Sequence, residues 1–248
     1  MNEVATAPVP APPKVQRWGI PDALLGWVAV FLFANLWFVV IVAVTGYADV
    51  AADDTELLPL GIVALTQLGL TAGFFFVPWV VTKVKGNGLV ADLGVRARWG
   101  DLWKGGAWGI VTQLVLLPLI YVPILELTNK TSDDLEGVAK SLTDRANSPV
   151  DVVLLVLIVG VMAAVFEEIF YRGLLQRSLL KHGLHPALAI GITSVLFGAT
   201  HFQLLQLPGL TLAGVVCGIL AYRADRLGPA IAAHLTFNMV TVIALLAA

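Results

Sequence analysis

Forty-one consecutive residues, His182 to Tyr222, carry no Asp, Glu, Lys or Arg. As helix, at ~1.5 Å per residue, that stretch would be about 62 Å long, twice the roughly 30 Å hydrocarbon core of a bilayer. It therefore reads as two crossings with a break near His201–Pro208. Similar charge-free runs precede it: Ala23–Thr45, Leu57–Thr82 and Gly105–Leu125, of 23, 26 and 21 residues. Val152–Phe166 gives 15 before Glu167 and Glu168 interrupt, and the apolar pattern then resumes toward Lys181 as one long helix. Leu227–Ala248 supplies a last span. With 58% of the chain hydrophobic and 13% charged, a soluble fold of this size lacks the polar residues to coat itself. The expected fold class is an all-α polytopic transmembrane helical bundle of about seven spans, within a range of six to eight.

Charge placement orients the bundle. With the N-terminus in the cytoplasm, twelve of the fifteen Lys and Arg fall inside, and Lys130, Lys140 and Arg145 fall outside, as the positive-inside rule asks. Seven spans then leave the C-terminus outside, in a multi-pass protein of the cell membrane. Four regions follow: a Pro/Ala-rich disordered cytoplasmic tail over 1–22, N-terminal transmembrane helices over 23–127, an acidic extracytoplasmic loop over 128–149, and a C-terminal transmembrane domain over 150–248. The first apolar run is too long for the core of a signal peptide. A net charge of -2 provides no basic field for nucleic acid. The single cysteine, Cys217, excludes a disulfide framework and any CxxC site.

Ionisable groups at membrane depth cost about 2.5–3.5 kcal/mol each and mark function. Three clusters carry them: Glu167-Glu168-Ile169-Phe170-Tyr171-Arg172, Phe197-Gly198-Ala199-Thr200-His201, and His234-Leu235-Thr236-Phe237-Asn238. On a helix, Glu168 and Arg172 share a face in the favourable acid-first order for an ion pair. Glu167 lies about 100° round, on the face of Gly160, Ala163, Ala164 and Tyr171, where small residues admit a second helix. Arg172 thus holds one carboxylate while the other points into the bundle. Phe197, one turn before His201, packs that ring. His234 and Asn238 project from one face.

A carboxylate and an imidazole can activate water, and an imidazole with an amide can stabilise an oxyanion. Glu167, His201 and His234 also make a familiar zinc set with an open fourth position, so a divalent metal such as zinc is an alternative use of the same residues. No HExxH or GxSxG is present, and the charge-free stretches contain no Asp.

The ordered motifs EExxxR, FxxxH and HxxxN, separated by 34 residues from Glu167 to His201 and 33 from His201 to His234, resemble the CPBP family. That family comprises the CAAX proteases and bacteriocin-processing enzymes, the Abi or Rce1-type intramembrane proteases. The resemblance covers roughly Val150 to Val242. It implies an endopeptidase acting in the lipid bilayer on a membrane-associated, CAAX-like or bacteriocin-like peptide. Glu167 and His201 would activate the water, His234 and Asn238 would hold the oxyanion, and Glu168 and Arg172 would shape the site.

Other classes are weighed against this. Glu and His chains also serve proton-coupled transporters, but no inverted repeat is visible. A non-catalytic scaffold of the same fold is the third reading. Counted from the inner helix ends, Glu168, His201 and His234 lie at depths near 20, 22 and 9 Å, at ~1.5 Å per residue. One pocket then requires the last helix to start deeper or to tilt, and a helix break before His201 is expected to take the pocket apart.

Overall fold

The structure, a computed structural model, describes residues 15–247, apart from the side chains of Glu136 and Val138. Every regular element among them is helical: α1 (Ile20–Thr45), α2 (Ala48–Asp53), α3 (Leu60–Lys85), α4 (Leu89–Leu93), α5 (Trp99–Thr128), α6 (Ser132–Thr143), α7 (Pro149–Lys181), α8 (Pro186–Ala199), α9 (Leu207–Ala224) and α10 (Gly228–Leu246), with a 3₁₀ turn at Thr55–Leu57. Six of these, α1, α3, α5, α7, α9 and α10, are long and apolar enough to cross a membrane. The protein is an all-α polytopic bundle. The further span expected at α8 has 14 residues, about 21 Å of helix, and is shorter than the other six. Prolines set the starts of the last three helices, Pro186, Pro208 and Pro229, where a missing N–H costs nothing. Gly46, at φ 79°, closes α1 in the left-handed region.

α1 and α3 pair along their length, and α5 runs beside α10. α1 is apolar on all sides and exposes Leu25, Leu32, Leu36 and Val44, as a helix facing lipid does. The core gathers on α7, where Phe170, Tyr171, Leu174 and Leu175 pack against Phe74, Leu93, Phe197 and Leu227.

The tail expected over 1–22 is corrected at its inner end; residues 1–14 lie outside the described residues. Trp18 is buried and donates from Nε1 to Asp92 (3.2 Å), as Gln16 Nε2 does (2.8 Å). Lys181 Nζ donates to the carbonyls of Gln16 and Trp18 (2.9 and 2.7 Å). α1 itself starts at Ile20. An apolar-periodicity argument could not see these contacts, because they are made by a buried carboxylate 74 residues away from Trp18.

The depth mismatch is resolved at the start of α10. The N–H groups of Leu227 and Gly228 donate to the carbonyls of Gly94 and Arg96 (2.8 and 3.0 Å), and Arg226 Nε donates to Asp101 (2.9 Å). Leu227 and Ala230 are wholly buried. The segment after α4 therefore floors the helix, which begins inside the bundle, and His234 sits deeper than its count from Gly228 implies.

Glycines let α5 and α10 approach. A Cβ on Gly105 would collide with the Pro229 carbonyl, and one on Gly109 with the Ala233 carbonyl and, at 2.9 Å, with Thr236 Cβ. Gly109→Leu is expected to force the helices apart, with an overpacking cost of about 1–3 kcal/mol or more. A lowered thermal midpoint in detergent is the expected result; an unchanged midpoint would contradict this contact.

Candidate active site

α7 is not a regular α-helix through the site. Its Ala163–Glu168 turn lies between two π-helical segments, Val156–Met162 and Ile169–Gln176. Such turns add a residue per turn, disturb the backbone hydrogen-bond register and cluster at functional sites. Here one π-segment carbonyl, that of Val159, accepts from Asn238 Nδ2 at 2.8 Å. The amide thus ties α10 to α7 and retains a second N–H.

Glu168 and Arg172 form the expected pair: Arg172 Nη1 donates to Glu168 Oε1 at 2.7 Å, with both side chains fully buried. Arg172 Nη2 also donates to the Gly214 carbonyl (3.1 Å), and its guanidinium lies over the Phe197 ring at 4.6 Å. Three recipients thus share the one desolvated cation, which a planar five-donor head can serve.

The same Glu168 oxygen accepts from His234 Nδ1 at 3.0 Å. An ionised carboxylate only accepts, so Nδ1 carries the proton and Nε2 is turned outward. Nε2 lies 3.9 Å from Glu167 Oε2. His234 therefore lies between the two adjacent glutamates, hydrogen-bonded to Glu168 and beyond hydrogen-bond reach of Glu167. The sequence grouped His234 with Asn238 on one face and with Glu167 and His201 as a possible metal set, but gave no sign of its bond to Glu168.

His201 follows the end of α8. Its Nδ1 lies 2.9 Å from the Phe197 carbonyl, which cannot donate, so in the neutral ring Nε2 holds the lone pair. The helix does break before His201, at Ala199, yet the pocket is retained. The Nδ1 bond holds the imidazole to the last turn, and Phe202 at φ 55° reverses the chain immediately afterward. A bulky residue in that region is a backbone outlier. Phe197 packs His201 as expected, edge-on with centroids 5.1 Å apart, and contacts His234 in the same way at 5.5 Å.

Glu167, His201, His234 and Asn238 all line one cavity of about 790 Å³. Glu167 Oε2 is buried there without a hydrogen-bond partner among the described residues, a costly state for a carboxylate oxygen unless something enters to meet it. Tyr171 also lines it, but its hydroxyl is occupied by Trp27 Nε1 (3.3 Å) and Thr200 Oγ1 (3.0 Å). Leu135, Ala139 and Leu142 of α6 cover one end, and Gln206 Nε2 holds that helix through the Leu135 carbonyl (2.8 Å).

The alternative zinc set does not fit. Among the described residues no three His, Cys, Asp or Glu side chains converge as metal ligands.

Residues 149–240 match the family described as type II CAAX prenyl endopeptidase Rce1-like. The match has nearly the bounds drawn from the motifs and supports an intramembrane CAAX-type protease assignment for this part of the chain. No curated protein matches the chain, and no solved structure does.

Proposed function

We propose that the protein hydrolyses a peptide bond in a membrane-associated peptide, using water activated by Glu167 and His201. The reading rests on one observation above others: Glu167 and His201 line the same cavity, and the buried Glu167 Oε2 has no hydrogen-bond partner among the described residues. In this scheme a water bound between Glu167 and His201 Nε2, oriented by the imidazole, loses a proton to Glu167 as its oxygen attacks the scissile carbonyl carbon. The tetrahedral oxyanion meets the second N–H of Asn238 and His234 Nε2–H. His234 donates there only as the imidazolium, with Nδ1–H kept on Glu168. The proton taken from water then passes to the departing amine as the C–N bond breaks. Glu168 and Arg172 hold His234 rather than touch the peptide. Lipid surrounds the bundle, and the proposed setting is the plasma membrane with the N-terminus in the cytoplasm.

The test compares membrane-protein termini in cells carrying the wild type or His201→Ala at matched levels. New fragment ends are expected with the wild type alone. Identical termini would remove the peptidase reading and favour the transporter or scaffold.

A further inference from the structure

Gln113 takes no part in the scheme above, yet it sits in the same cavity with a buried Oε1 that no group among the described residues satisfies. Its position follows from the helix packing. Gly105 meets α10 at Pro229 and Ala232, and Gly109 meets it at Ala233 and Thr236. The two helices run parallel, and four residues on one correspond to about four on the other. The next step brings Gln113 to the level of Phe237, beside Asn238.

At that step the register changes. Thr112–Leu116 is π-helical, and Gln113 on that segment is among the residues that line the cavity. The amide oxygen held there has no hydrogen-bond partner among the described residues and lies in a mostly apolar chamber. A peptide entering that chamber brings backbone N–H groups that have left water, each of which needs an acceptor.

Resting on the proposed function, we infer that Gln113 is a substrate-binding residue: its Oε1 accepts a backbone N–H of the peptide near the scissile bond. The bound chemistry is an extended peptide backbone, irrespective of side chain. Gln113 therefore contributes to affinity for any peptide sequence and leaves the activation of water to Glu167 and His201.

The probe is a fluorogenic farnesylated CAAX peptide, together with a series in which each backbone amide flanking the scissile bond is replaced in turn by an ester. The ester lacks the N–H and keeps the shape. For the purified full chain, Gln113→Met is expected to raise KM about tenfold, the scale of one lost hydrogen bond to a buried group, with kcat nearly unchanged. Its thermal midpoint should equal or exceed that of the wild type, since an apolar side chain replaces an unsatisfied polar one. One ester position should raise KM about tenfold in the wild type and have no effect in Gln113→Met. Gln113→Ala serves as a second variant of smaller volume.

A wild-type KM in both variants, or an ester penalty that persists undiminished in them, would overturn the inference and leave the peptidase standing. A lowered midpoint with an unchanged KM would make Gln113 a structural residue. Failure of the wild type to cleave the parent peptide would remove the proposed function and this inference together.

Discussion

Glu167→Gln is expected to lower kcat/KM for peptide cleavage by about 10²–10⁴-fold, the usual contribution of a general base, while the bundle stays folded. The substitution keeps the shape and removes the negative charge from the group that faces both the cavity and His234 Nε2. The amide cannot take a proton from water, so the nucleophile is not formed. Stability should change little, because Glu167 Oε2 has no partner to lose and a neutral amide is easier to bury than a carboxylate. His201→Ala should fall in the same range. The double variant should be little worse than either single one, because two groups that act on one water are not additive. The measurement is kcat/KM on a purified sample whose thermal midpoint is recorded in parallel. Cleavage at the wild-type rate by folded Glu167→Gln would rule out the base assigned here. Equal losses in activity and midpoint would instead make Glu167 a structural residue.

The sequence exposes the chemistry of the site well and its wiring poorly. Charges inside long apolar runs are costly enough to stand out, so Glu167, Glu168, Arg172, His201 and His234 were visible as candidates without any structure. The i,i+4 rule also found the Glu168–Arg172 pair, because both partners lie on one helix. Links between helices follow no local period. Nothing in the spacing of 66 residues from Glu168 to His234 indicates that Nδ1 bonds that carboxylate, or that Asn238 donates to Val159 rather than standing beside its motif partner.

Register was hidden for a related reason. Counting at ~1.5 Å per residue assumes regular helices that begin at the membrane surface. The π segments of α7 depart from the first assumption. The floor that Gly94 and Arg96 make beneath α10 departs from the second. Gln113 illustrates the remaining gap: a glutamine in an apolar run looks like a mild anomaly, and only the packing of Gly105 and Gly109 shows that it faces the cavity.

Arg172→Ala is expected to cost about 3–5 kcal/mol, the scale of removing one partner from a buried ion pair, and so to consume much of the stability of a marginally stable fold. The variant leaves the Glu168 carboxylate fully buried with only His234 Nδ1 against it. It also frees the Gly214 carbonyl and vacates the space against Phe197. Arg172→Lys should rescue only in part, because a point ammonium cannot reach Glu168 and Gly214 while lying flat on the ring. Glu168→Gln combined with Arg172→Met should recover more folded protein than Arg172→Ala, since the uncompensated charge is gone. That double variant should nevertheless remain inactive: the amide oxygen can still accept from Nδ1–H, but it lacks the negative charge that supports the His234 imidazolium. Folded yield and thermal midpoint in detergent, read beside cleavage, separate the two effects. A stable and inactive Arg172→Ala would move Arg172 from support of the site to the reaction itself. Activity in the folded double variant would show that the His234 imidazolium does not depend on the Glu168 charge.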